Sequence, residues 1–450
     1  MIDSFRNIFA IPDLRKRVIF TFALLAVYRL GAFIPIPGID PVAIAEFTTA
    51  AEGTVLGFLN LFSGGALGRM TVFALGIMPY ISASIILQLL TVVWPYLEKL
   101  SKEGELGRRK ITQYTRYGTV VLSVIQSMGI SFFLERTTAH GGAPLVPEHF
   151  QVWGFRLLTV LTLTTGTALV MWLGEQISER GIGNGISLII FAGIVVGLPA
   201  AIFNTLTDVQ TGALNIITVV LLVVFMVIVV AAIVYMERAQ RRIPIQYAKR
   251  VVGRRVYGGQ STYLPLRINT GGVIPVIFAA SIMSFPQTLG QMIDNRWLQK
   301  ITEALAWGEP LYNLVYFLSI VFFCYFYTSI IFNPEDTAEN MRKYGGFIPG
   351  IRPGKRTAEF IDKILTRITL VGAIYLALVA ILPEILIAGF KVATIPVIGP
   401  TLDSFLPAWF TQGLGVKFFF GGTSLLIVVG VAMDTVNQIE SQLVMRHYDG

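Results

Sequence analysis

Long apolar runs separated by shorter polar stretches recur down the whole chain. A hydrocarbon core about 30 Å thick asks for roughly 20 apolar residues per helical crossing. On that measure the pattern predicts ten spans, over residues 18–37, 71–94, 116–135, 153–173, 184–203, 213–236, 272–290, 311–332, 366–388 and 415–435. The runs are solidly apolar rather than alternating, which predicts helices and excludes the strands of a membrane barrel. One further stretch, Thr54 to Gly65 with Leu61 at its centre, is too apolar for an exposed loop and too short to cross. It predicts a re-entrant or plugging half-helix, with backbone ends satisfied inside the protein.

Composition adds that lipid is part of the solvent: 54% of the 450 residues are hydrophobic and 14% charged, more apolar surface than a soluble fold of this size hides. The single cysteine, Cys324, lies in the eighth run, so no intrachain disulfide or thiolate cluster can form, and it reads as a small buried hydrophobe. His140, His149 and His447 lack metal-ligand spacing and read as surface residues. No metal, cofactor or catalytic residue is expected. Met1–Arg17 is a polar and basic lead without a processing site after the first run, so no cleavable signal is expected.

Charge then orients the bundle. With the amino terminus placed inside, 27 of the 35 Lys and Arg fall in inward-facing segments. Such asymmetry predicts both termini in the cytoplasm, because basic residues in short loops resist translocation. The net charge of +8 is thereby gathered on one face, which attracts anionic lipids, acidic proteins or nucleic acid.

Two inward loops are longer than a compact bundle needs. Residues 237–270 carry Arg242, Lys249, Arg254 and Arg255 among β-branched residues around Gly253, the pattern of a long hairpin with Arg254 and Arg255 near its tip. Residues 333–367 carry Arg342, Lys343, Arg352, Lys355 and Arg356 among Gly-Gly and Pro-Gly turn signals. Docking to phosphate backbones or acidic protein surfaces suits both loops, and so does anchoring on lipid headgroups. Charge alone does not choose between these readings.

Nucleotide motifs fail on inspection. Gly350-Ile-Arg-Pro-Gly-Lys-Arg is one residue short of a phosphate loop and has Arg356 in the magnesium-binding position. Gly181-Ile-Gly-Asn-Gly-Ile lacks a preceding strand and reads as a flexible helix start. Charges inside the spans are few, chiefly Arg29, Arg156, Lys417 and Asp434, without the paired carboxylates of an ion-coupled pump. Arg29 either snorkels to a headgroup or faces a watery cavity, and both readings stay open.

Five spans fall in residues 1–205 and five in 206–450, so the second half enters the membrane from the opposite side. Gly64-Gly65 and Pro79 at the second span are matched by Gly271-Gly272 and Pro275 at the seventh. The fold class expected is an all-α integral membrane protein of two inverted five-helix halves. Paired interruptions of this kind mark a functional seam, though Gly and Pro are common enough in membrane helices for coincidence.

Four stretches carry a resemblance: Phe73–Gln88, Gly104–Tyr117, Glu179–Ser187 and Gly421–Val429. They closely resemble bacterial SecY, the channel subunit of the Sec translocase, in order and over essentially the whole chain. The resemblance implies an hourglass pore for unfolded secretory chains, with a side exit for membrane segments. It assigns an apolar constriction to Ile77, Ile81, Ile190, Ile277 and Ile427. It assigns a plug to about 54–68, centred on Phe58, Leu59, Asn60, Leu61, Phe62, Ser63, Gly64 and Gly65. A lateral gate follows between spans two and seven, with span three beside it, at Ser82, Gln88, Gln126, Ser281 and Phe285. Docking of the ribosome, including its RNA, or of the SecA ATPase is expected on Arg242, Lys249, Arg254, Arg255, Arg342, Arg352, Lys355 and Arg356. The implied partners are SecE, SecG, preproteins with their signal sequences and anionic lipids, in the inner membrane of the cell. From the residues alone, ordinary bundle core is the default for the five isoleucines. The competing classes are a secondary solute transporter, since inverted repeats are common there, and an assembly scaffold.

Overall fold

A helix stands at each of the ten expected spans. The computed structural model describes residues 11–40, 43–44, 60, 63–137, 145–146, 153–212, 214–247, 250–252, 255–257, 261–292, 296–306, 308–391, 407, 411 and 422–448. The first half comprises α1 (Pro12–Gly31), α2 (Met78–Val93), α3 (Pro95–Lys102), α4 (Glu105–Arg136), α5 (Trp153–Arg180) and α6 (Gly185–Gln210). The second comprises α7 (Ile216–Arg238), α8 (Ile274–Met292), α9 (Arg296–Ala304), α10 (Pro310–Ile331), α11 (Pro334–Lys343), α12 (Lys355–Ala388) and α13 (Gly422–Tyr448). Among the described residues seven helices are long and apolar enough to cross a membrane, or eight if the bent pair α2–α3 is one span.

Several boundaries differ from the hydropathy reading, for local reasons. The first helix starts and ends about a turn early, at Pro12 and Gly31, because Pro suits a first helical turn and Pro35 and Pro37 cannot continue one. The chain after it runs beside residues 70–72, with a bridge between Pro35 and Thr71. The second span does not begin at 71. Residues 63–77 are turns, with left-handed backbone at Gly64, Gly65, Met70 and Gly76, and helix resumes only at Met78. The helices of the third and ninth spans, α4 and α12, begin well before their apolar runs, at Glu105 and Lys355. At Pro95 the chain bends by 99°, because the proline holds Trp94 in extended backbone.

The second basic loop is not a loop. It folds as α11, the short strand β5 (Gly346–Phe347) and the first turns of α12. The first basic loop is a hairpin: β1 (Gln240–Tyr247) pairs antiparallel with β4 (Ser261–Arg267), and within it β2 (Arg250–Val252) pairs with β3 (Arg255–Tyr257). β5 adds to the free edge of β1, giving the order β4-β1-β5. Ile243, Ile245, Leu266, Met341, Ile348 and Ile361 form a separate buried cluster beneath this sheet. The two basic segments are therefore one packed unit.

Contacts within each half are extensive, and between halves they concentrate on two seams. α8 packs on α2 and α4, and α13 packs on α6. The main buried cluster runs across both seams and draws on α1, α2, α5, α6, α7, α8, α10, α12 and α13. α7 is the helix most open to lipid, with only Val229 and Ile233 buried. The Gly-Ile-Gly-Asn-Gly turn before α6 is fitted closely rather than loosely. Asn184 caps the helix, accepting from the amides of Ile186 and Ser187 at 3.1 and 3.4 Å. A Cβ on Gly185 would sit 2.0 Å from the Gly174 carbonyl oxygen. The glycine is there for space.

Candidate pore and gate

Isoleucine at 77, 81, 190, 277 and 427 is carried by four helices. Ile77 caps α2 and Ile81 lies one turn into it; Ile190, Ile277 and Ile427 come from α6, α8 and α13. All five are core residues of the same cluster, with exposures from 0% at Ile427 to 4% at Ile81 and Ile277. Two helices from each half contribute, one pair on each side of the two seams.

Of the expected plug, Phe58, Leu59, Leu61 and Phe62 lie outside the described residues. Asn60 and Ser63 to Gly65 are joined by hydrogen bonds, and the rest of the expected half-helix, 54–59 and 61–62, lies outside the described residues. The amides of Gly65 and Gly68 bond to the Asn60 carbonyl and side chain at 2.9 and 2.7 Å. The Ser63 hydroxyl donates to the Asn60 carbonyl at 3.0 Å and accepts from the Leu67 amide at 3.0 Å. α1 holds this turn from the side: Tyr28 donates to the Ser63 carbonyl at 3.2 Å and Arg29 to the Gly64 carbonyl at 2.7 Å. The sequence reading of Arg29 had no partner for it, because residues 35 positions apart leave no periodic signal.

At the α2–α8 seam, Ser281 is buried and its hydroxyl lies 3.9 Å from the Met78 sulfur. Gln88 bonds within its own helix, from Nε2 to the Ser84 hydroxyl at 3.3 Å, rather than across the seam. Its Oε1 is buried with no hydrogen-bond partner, a costly position for an amide oxygen. Ser82 on α2 and Gln126 on α4 are half-buried. Phe285 belongs to α8 and its side chain lies outside the described set.

The basic unit presents Arg242, Arg342, Arg352, Lys355 and Arg356 as exposed side chains. Arg255 begins β3, whereas Lys249 and Arg254 lie outside the described residues. Gly350 and Gly354, both left-handed, shape the loop that lifts Arg352 outward, and the Thr357 hydroxyl bonds the Arg352 carbonyl at 3.0 Å. Sequence reasoning missed the tie between this unit and α8. Asn269 joins Glu237, at the end of α7, and the Gly272 carbonyl, just before α8, at 2.6 and 3.0 Å. It also missed Arg156, which forks onto Glu135 at 2.7 and 3.0 Å and stacks over Phe132. Both pairs join side chains far apart in sequence, so no spacing rule exposes them. Among the described residues no group of His, Cys, Asp or Glu could hold a metal ion.

A protein-family model described as SecY matches residues 71–436. Protein translocase subunit SecY of Escherichia coli K12 is 48% identical over 441 residues, covering 97% of this chain and 93% of that one. The protein of the same name from Aquifex aeolicus is 44% identical over 449 residues, covering 100% and 99%. Among solved structures, "The structure of a protein conducting channel" superposes with a TM-score of 0.62 at 18% identity, covering 95% of this chain and 92% of that one. "Sec61 in the Canine ribosome-channel complex from the endoplasmic reticulum" gives 0.58 at 17% identity with the same coverage.

Proposed function

The chain belongs to the SecY family, and from that premise we propose how its residues divide the work of a protein-conducting channel. It is a multi-pass membrane protein and a translocase subunit rather than an enzyme. The five isoleucines form the constriction of the pore. The observation that carries this reading is their burial, on two helices of each half, in one apolar cluster that crosses both seams. A polypeptide in transit exposes amides that cost several kcal/mol each when unsatisfied in hydrocarbon, so its path is wet on both sides of a short dry waist. The turn at Ser63–Gly65 belongs to the plug that closes this waist.

The side exit opens between α2 and α8, with α4 beside them. Support comes from the packing of α8 on α2 and α4, where the two halves meet, and from the weak polar groups along that seam. A signal segment gains about 0.3–0.6 kcal/mol per central Leu-like residue on entering lipid, comparable in sum with a few interhelical hydrogen bonds of roughly 0.6–2 kcal/mol. Gln88→Leu removes an amide oxygen that closure leaves unsatisfied, stabilising the closed seam. The expected result is a higher hydrophobicity threshold for signal segments, read by exporting a graded series of signals. An unchanged threshold removes Gln88 from the gate.

The basic unit docks the motor, which is the SecA ATPase or the ribosome, and SecE and SecG are the membrane partners. The two halves, 1–205 and 206–450, act as the moving bodies. Both termini are cytoplasmic and the membrane is the inner one, in keeping with the 27 basic residues on one side. The function is tested by removing residues 58–65 and recording ion current across a planar bilayer: current without any precursor is expected. A scaffold gives none, and a solute transporter instead shows thermal stabilisation by its substrate.

A further inference from the structure

We propose that Arg29 is a positioning residue of the closed channel, a clasp that holds the Ser63–Gly65 turn against the constriction and whose bond to Gly64 breaks on opening. The inference rests on reading that turn as part of the plug.

Three sets of contacts lead to it. First, the turn touches two of the ring's carriers through backbone. A Cβ on Gly64 would stand 2.8 Å from the Cα of Gly193, and Gly193 lies one helical turn beyond Ile190 on α6. A Cβ on Gly76, the residue before Ile77, would meet Ser63 at 3.6 Å. The turn thus sits beside two constriction residues at once, and its left-handed Gly64 is the only residue type that permits such an approach.

Second, the turn's outward carbonyls are taken by α1. Tyr28 is fully buried, stacks on Phe73 with centroids 5.7 Å apart, and donates to Ser63. Arg29 donates to Gly64 at 2.7 Å. Buried carbonyls need partners, and both partners sit on a helix of the first half, at successive positions.

Third, Arg29 is a half-buried cation in the last turn of α1, and among the described residues no carboxylate forms an ion pair with it. A cation taken partly out of water is costly unless it is hydrogen-bonded. Its compensation is the Gly64 carbonyl together with the Phe33 ring, 5.3 Å from the guanidinium. Arg69, at the far end of the same run of turns, lies over that ring too, at 4.6 Å. When the turn leaves, Arg29 loses its acceptor. The seal is therefore favoured by one charge-assisted bond and one neutral bond, few enough for a threading chain to break.

Arg29→Met, Arg29→Lys and Tyr28→Phe channels are compared in planar bilayers without precursor, each as the assembled complex. Loss of a charged hydrogen bond shifts the open fraction by roughly ten- to hundredfold, so Arg29→Met is expected to conduct spontaneously and to export precursors with weakened signals. Arg29→Lys keeps a cationic donor and restores most of the closure, which a merely structural role would not require. Tyr28→Phe keeps the stack on Phe73, loses only the hydroxyl, and leaks in the same direction to a smaller extent. If Arg29→Met lowers the yield of assembled complex, Tyr28→Phe and Arg29→Lys decide the matter alone. A silent Arg29→Met beside a conducting deletion of 58–65 overturns the clasp and spares the plug. Silence in both overturns the plug reading, and the clasp with it.

Discussion

Arg352→Glu lowers motor-driven export of a secretory precursor by at least about tenfold while the yield and thermal stability of the assembled channel stay unchanged. Both halves of this expectation follow from where the side chain sits. It is exposed at the tip of a loop bounded by two left-handed glycines, so no folded contact is lost when its sign changes. The loop itself is held from behind by the Thr357 hydroxyl and by the start of α12, so the charge is presented at a fixed position. An acidic or phosphate-bearing partner then meets repulsion where it met a bidentate donor. Transport into inverted membrane vesicles, measured with ATP and the motor in excess, reads the effect. Export at the normal rate would take Arg352 out of the docking surface.

Much of this fold was legible because membrane helices obey a simple length rule. All ten apolar runs hold helices, and the alternating β-branched residues around Gly253 mark a hairpin whose outer strands pair over seven positions, from Gln240 with Arg267 to Gln246 with Ser261. What hydropathy misread was the polar extension of helices. α4 starts at Glu105 and α12 at Lys355, since a helix that leaves the bilayer continues in water with Lys and Glu, which are good helix formers. Residues 71–77 were misread for the opposite reason: they are apolar without being helical, because left-handed backbone at Met70 and Gly76 interrupts the helical run.

The site was legible only in part. Isoleucine is indistinguishable from core in a single sequence, so the five positions came from resemblance, and their burial in a shared cluster is a property of three dimensions. The gate assignment at Ser281 also came from resemblance, and Ser281 is buried with its hydroxyl near the Met78 sulfur. The clasp of Tyr28 and Arg29 on Ser63 and Gly64 was not found, since it binds backbone carbonyls, and backbone leaves no trace in residue identity. The union of the two basic segments through β5 was hidden for the same reason: two residues, Gly346 and Phe347, are too few to announce a strand.

The second large effect concerns the isoleucines themselves. A dry waist lined by branched side chains excludes water when empty and must press on every residue of a chain that fills it. With the constriction proposed above, a polypeptide in transit is expected to touch all five positions, whatever its sequence. Photoreactive side chains are placed singly at Ile77, Ile81, Ile190, Ile277 and Ile427, a precursor is stalled midway by a folded domain at its end, and the adducts are counted. Adducts at all five positions, absent without precursor and far fewer at lipid-facing Val220 or Val227 on α7, are the predicted result. Five positions that never capture the stalled chain would contradict the account.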